Sequence, residues 1–211
     1  MVCDSVSLVN EALEADKTVL FEGAQANMLD INYGTYPFVT SSSPTSAGVL
    51  EGAGVPPQSL KRIIGISKAY ATRVGEGPFI TELFGEEGEA LRNKGGEFGA
   101  TTGRPRRTGW LDLPVVKQAV RLNGLTDIAI TKIDILTGYD KIPVCVGYEL
   151  NGKTIDYVPA SLKVYGECKP VWKVFDGWTE DISKISKYED LPENCRKYVN
   201  SSKNIQAYLF L

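Results

Sequence analysis

The sequence predicts an α/β fold, on three observations. Helix-like and strand-like stretches alternate through the first two thirds of the chain. The short apolar runs 18–22 and 127–131 are bounded by turn residues, as buried strands are. Asn151-Gly152 separates two strand-like stretches, the two-residue signature of a type I′ hairpin, which adds antiparallel structure at the edge of the core. A chain of 211 residues can bury a sizeable core. No internal repeat or shift in composition marks a boundary, so a single domain is expected over 1–211.

Each element has a local reason. Val6, Val9 and Leu13 recur near helical spacing over 6–15, with Asp4 or Ser5 available as a cap. The run 18–22 passes directly into the small-residue loop 23–27, the α/β arrangement that places polar side chains at the C-terminal edge of a sheet. Residues 32–57 are rich in Gly, Ser, Thr and Pro and are long for an idle connection. They read either as a functional loop with a row of hydroxyls near Thr40 or as solvated filler. Ile64, Ile66, Lys68, Tyr70 and Thr72 alternate as a strand does. Residues 86–92 predict a short exposed helix. Pro114 opens another, with Val116, Ala119 and Val120 on one face and Gly124 as its stop. The hairpin strands are expected over 144–150 and 153–158, a further strand over 171–175, and a last helix over 189–199.

Composition excludes several classes. With 43% hydrophobic and 23% charged residues the chain is globular, and its net charge of −3 argues against a dedicated nucleic-acid binder. There is no histidine, which removes Ser-His-Asp, Cys-His and zinc-His chemistry. Cys3, Cys145, Cys168 and Cys195 are far apart and form no CxxC pair, so free thiols in a reducing compartment are expected. No apolar run is long enough to span a membrane, and the first residues lack the regions of a signal peptide. A cytoplasmic protein with no membrane or nucleic-acid partner is the expectation.

Two constellations carry chemistry. From Phe98 to Trp110 one loop holds three threonines, three glycines and three arginines. Glycines let backbone N–H groups approach an anion, and Arg104, Arg106 and Arg107 supply planar forks for carboxylate or phosphate. A surface basic cluster or a small nucleic-acid patch is the alternative; the acidic remainder of the chain favours a small anion. The second constellation is Thr131-Lys132-Ile133-Asp134 at the end of an apolar strand. A carboxylate there can accept both the N1–H and the N2 amino hydrogens of guanine, while the Lys132 stem lies against the base plane. A solvated Lys–Asp pair explains the same four residues.

Five motifs occur in order: 21–25 (FEGAQ), 34–42 (GTYPFVTSS), 68–75 (KAYATRVG), the 98–110 loop and 131–134 (TKID). Together they resemble the adenylosuccinate synthetase family, enzymes that join aspartate to IMP using GTP, over about 19–199, with 200–211 a divergent tail. The resemblance implies a P-loop-NTPase-like, mostly parallel central sheet, incomplete here, with an added antiparallel hairpin. It implies IMP contacts from Gln25 (purine oxygen), Thr40 (phosphate), Val74 (ribose) and Arg104. It makes Ala100, Thr101, Thr102, Gly103, Arg104, Pro105 and Arg106 the loop that closes over aspartate. It assigns GTP to Arg106, Lys132, Ile133 and Asp134. Family members are homodimers, much longer than this chain, that use Mg²⁺. Their glycine-rich phosphate loop, catalytic Asp and His and metal ligands lie in an amino-terminal part that this sequence does not show. No catalytic or metal-binding residue is therefore expected among these 211, and this chain alone is expected to be inactive.

Overall fold

The computed structural model describes residues 3–101 and 103–201; Thr102 and the tail beyond residue 201, both discussed above, lie outside them. Six helices of eleven residues or fewer and eight short strands alternate along the described chain. The α/β class follows from a parallel pair together with antiparallel strands.

Helix α1, Ser5–Glu14, starts where Asp4 accepts from the Ser7 N–H (3.1 Å). The stretch 18–22, read above as a buried strand, has no regular structure, and Leu20 is 87% exposed. A short apolar run is a strand only when a neighbour completes its ladder, and none of the described strands pairs with it. The segment 32–57 is not wholly loop: Ser46–Ala53 forms α2, docked to the end of a later helix by Ser46 N–H to Asn123 Oδ1 (2.7 Å).

The alternation over 64–72 divides in two. Strand β1, Ile64–Lys68, lies parallel to β5, Asp127–Thr131, in full five-residue register. The chain then bends at Ala69 and Tyr70, both buried, into β2, Ala71–Arg73. Ile66 is 72% exposed and Ile64 38%, so the apolar face of β1 is uncovered in the described chain. Strand β2 pairs antiparallel with β3, Arg107–Gly109.

Helix α3, Gly85–Gly95, is longer than the predicted 86–92 and is not all exposed, since Gly88, Leu91 and Gly95 face inward. After β4, Leu111–Asp112, helix α4 runs Leu113–Asn123 with Pro114 in its first turn. Its stop is Gly124, whose φ of 61° is the left-handed cap that glycine adopts without a Cβ penalty. The third sheet, of four strands, is mixed. Strand β6, Lys141–Leu150, is parallel to β4 and antiparallel to β7, Lys153–Ile155, and to β8, Lys169–Asp176. The turn between β6 and β7 has φ of 50° at Asn151 and 73° at Gly152, both positive as a type I′ turn requires. β6 begins three residues before its predicted start, because Lys141 already pairs with Asp176 of β8. Residues 156–158 extend no ladder.

Helix α5 is Leu162–Gly166 and α6 is Glu193–Asn200. The last helix was expected from 189. Pro192, with no N–H to give, sets its start, and 188–190 form a separate 3₁₀ turn. The core gathers Tyr70, Leu91, Trp110, Ile142, Val144 and Tyr198 between β6, α3 and α6, with Tyr198 O–H donating to the Ala69 carbonyl. Among the described residues no helix is long and apolar enough to cross a membrane. All four cysteines are free thiols, three of them buried.

Candidate functional site

The 98–110 loop leaves α3 through Gly96 and returns into β3, and its base is pinned rung by rung. Arg106 N–H donates to the Glu97 carbonyl (3.0 Å), Phe98 and Pro105 form a bridge, and Gly99 N–H donates to the Arg104 carbonyl (2.9 Å). The exposed Ala100, Thr101 and Gly103 are thereby held at the tip of a closed loop, with Gly103 N–H donating to the Gly99 carbonyl (2.8 Å). Arg104 and Pro105 are exposed on the returning arm.

Beneath the loop sits Glu97, fully buried. Its Oε2 accepts from Lys68 Nζ and Arg106 Nη1, both at 2.8 Å. Its Oε1 accepts from Tyr70 Oη (2.7 Å) and Lys132 Nζ (3.1 Å). Burial pushes this carboxyl up, but the donors from Lys68, Tyr70, Arg106 and Lys132 overcome it and hold the group at about 2. Burial lowers Lys68, and the neighbouring Lys132 and Arg106 charges add to the fall against the attraction of Glu97. One carboxylate thus faces three cations, leaving a local surplus of two positive charges (3 − 1).

The same carboxylate joins the second constellation to the first. Lys132 follows β5 with a left-handed backbone (φ 57°) and opens the 3₁₀ turn Ile133–Leu136 that carries the exposed Asp134. Its ammonium donates to the Gly95 carbonyl (2.6 Å) and to Glu97. Loop and turn therefore lie on one side of the molecule.

A neighbouring cluster positions the rest. Arg73 at the end of β2 donates to Thr35 Oγ1 (2.7 Å) and to the Glu76 carbonyl (2.9 Å). That ties the loop carrying Thr40 to the exposed Val74. The loop is further ordered by buried Asp30, which accepts from Asn32 N–H, Tyr33 N–H and Ser43 Oγ at 2.9–3.0 Å. Ser43 is thus structural, not part of a free row of hydroxyls. Arg107 differs from the fork expected of it. It grips Glu82 in two-point fashion (2.7 and 2.5 Å) and donates to the Gly75 and Gly77 carbonyls, so its donors anchor the 73–77 turn and do not face a ligand. Gln25 stands apart, exposed and with a left-handed φ of 71°, on the stretch that lacks strand partners.

The residues present do not fit a divalent metal ion. Among the described residues no three Asp, Glu, Cys or His side chains converge. The carboxylate nearest the loop has both oxygens committed to four donors. Sequence reasoning missed Glu97, Lys68 and Tyr70 as a unit. The available signal was an acid directly before a Gly-Thr-Arg loop in which every other charge is positive.

An α/β framework that closes a cationic Gly-Thr-Arg loop over one buried carboxylate, with a Lys-x-Asp turn on that same carboxylate, defines a protein built around a fixed cluster of positive charge. The comparisons with known proteins give the particular family. The family model for adenylosuccinate synthetase matches residues 1–208, and the chain belongs to that family. It is 58% identical over 206 residues to the adenylosuccinate synthetase of Fusobacterium nucleatum and 55% identical over 206 to that of Streptomyces coelicolor, in each case covering 98% of this chain and 48% of the relative. The fully ligated adenylosuccinate synthetase of Plasmodium falciparum superposes with a TM-score of 0.94 at 42% identity, covering 97% of this chain and 49% of that one. The chain spans about half the length of the curated relatives it matches.

Proposed function

We propose that this chain forms the aspartate-holding and guanine-holding part of a GTP-dependent ligase that joins L-aspartate to IMP, giving adenylosuccinate, GDP and phosphate on the route to AMP. The observation that carries the reading is the meeting of Arg106 and Lys132 on Glu97, which sets the loop beside the Lys132–Asp134 turn.

In this reading Ala100, Gly103 and Pro105 shape the loop that receives aspartate, with Thr101, Thr102 and Arg104 as its main ligands. Arg106 reaches toward the GTP phosphates, and Lys132, Ile133 and Asp134 hold guanine, the carboxylate accepting N1–H and N2–H. Gln25, Thr40, Val74 and Arg104 touch IMP. The purine 6-oxygen is a poor leaving group. Transfer of a phosphoryl group from GTP turns it into phosphate, which the aspartate amine then displaces. The surplus positive charge above Glu97 suits the carboxylate and phosphate oxygens present at both steps. The family's Mg²⁺ would neutralise phosphate charge, and no donor set for it is found among the described residues. The catalytic Asp and His of the family are likewise outside these residues, so the chain alone is proposed to be inactive. The working assembly is proposed to be a cytoplasmic homodimer with no nucleic-acid partner.

Two measurements test this. Purified chain given IMP, GTP, Mg²⁺ and aspartate is expected to form no adenylosuccinate; turnover by the 211 residues alone sinks the proposal of inactivity. Asp134→Asn is expected to weaken GTP binding at least about tenfold and to gain xanthine nucleotide, because the amide offers a donor where the carboxylate accepted. Unchanged guanine preference sinks the assignment of Asp134. A second reading, a non-catalytic nucleotide- or anion-binding piece or a dimerisation partner of a full-length synthetase, draws support from the absence of any histidine in the 211 residues. Co-purification with a full-length synthetase tests it.

A further inference from the structure

We propose that Glu97 is a positioning residue that couples the 100–106 loop to the 131–134 turn, so that an anion seated on the loop fixes the base-reading aspartate. Glu97 is the shared partner of both segments: Arg106 of the loop on Oε2 and Lys132 of the turn on Oε1. Lys132 is a non-glycine residue held at φ 57°, a conformation that persists when surrounding contacts enforce it. Its ammonium, tied to Glu97 and to the Gly95 carbonyl, supplies that tether two residues before Asp134. Lys68 and Tyr70 brace the carboxylate from the β1 side. With three cations against one carboxylate, an anion drawn to Arg106 relieves their repulsion and lets Glu97 hold Lys132 more firmly. Linkage then requires that a base held by the turn favours the anion in equal measure. The ligand side of this proposal rests on the reading of Arg106 and Asp134 given above; the structural side does not.

The test uses the 211-residue chain as wild type, Glu97→Gln and Tyr70→Phe, the last removing one donor from Oε1 while keeping the carboxylate and the ring. Amide hydrogen exchange without ligand reads the structural side. Glu97→Gln is expected to raise exchange at 103–106 and at 133–136 together, by about tenfold, and Tyr70→Phe to raise both by less. Dissociation constants for GDP and IDP, which differ in the N2 amino group, read the ligand side. The preference for GDP is expected to fall about tenfold in Glu97→Gln, whereas a general loss of stability weakens both nucleotides alike. Should Glu97→Gln fail to fold, Tyr70→Phe carries both readouts. Faster exchange confined to one segment overturns the proposal, as does an unchanged GDP preference in a variant whose two segments have both loosened. In a wild-type chain that binds neither nucleotide, the exchange result alone decides the coupling.

Discussion

Two buried carboxylates in this chain behave in opposite ways. Glu97, ringed by Lys68, Arg106 and Lys132, is held at about 2 although burial works against its charge. Asp112, between β4 and α4, meets only neutral donors: Tyr148 Oη at 2.7 and 2.8 Å, and the Val115 N–H at 3.3 Å. Burial dominates there and raises the group to about 6. The first carboxylate organises a cluster of excess positive charge. The second caps a helix and pins it to β6, and an uncharged group serves that purpose as well. Burial alone does not fix the charge of an acid; the sign of its surroundings decides it.

The largest expected effect separates the two directly. Glu97→Leu leaves three partly buried cations unpaired and is expected to cost about 3 kcal/mol in urea denaturation. A loss under about 1 kcal/mol places the balancing of those charges elsewhere.

Acid titration gives the next effect, with opposite signs at the two sites. The folded value of Glu97 is depressed, so its contribution is present above 4.5 and is lost as pH falls toward about 2. The folded value of Asp112 is raised from 3.8 to about 6, so folding is favoured by its proton and stability falls as pH rises through that window. Asp112→Asn keeps an acceptor for Tyr148 and Val115 and is expected to remove that decline, gaining about 2 kcal/mol at pH 7. Denaturation curves at pH 4, 6 and 7 check it, and a variant less stable than wild type at pH 7 reverses the assignment.

A smaller effect is expected at the second ion pair. Glu82→Gln breaks the two-point grip on Arg107 and is expected to cost roughly 1–2 kcal/mol while freeing the 73–77 turn. Proteolysis at that turn reads the loosening, and unchanged cleavage means that β3 holds it without Glu82. The smallest belongs to the segment that failed to become a strand. Leu20→Ser is expected to change stability by less than about 0.5 kcal/mol in this chain, because the side chain already lies in water. A loss above 1 kcal/mol shows that 18–22 is packed in solution.

Much of the fold was legible locally. Asp4, Gly124, Asn151 and Gly152 each act within a few residues of themselves, so α1, the end of α4 and the β6–β7 hairpin follow from the chain alone. Strand 127–131 was legible because β1 pairs with it along its whole length and its first three residues are buried. Two of the failures share one cause. At 18–22 and on the Ile64–Ile66 face the pattern asks for a partner, and none of the described chain covers it. In the candidate site, the charged loop and the Lys-x-Asp turn could be read as two separate pieces.

By itself the sequence determined the α/β class, the helix stops, the hairpin and the residue types that can grip anions and guanine. Capping, turn geometry and side-chain chemistry are properties of near neighbours. Only the tertiary structure decided which carboxylate each cation ties to, Glu97 for Arg106 and Glu82 for Arg107. That choice depends on which carboxylate each side chain meets after the loop closes, and neither spacing nor composition contains that distance.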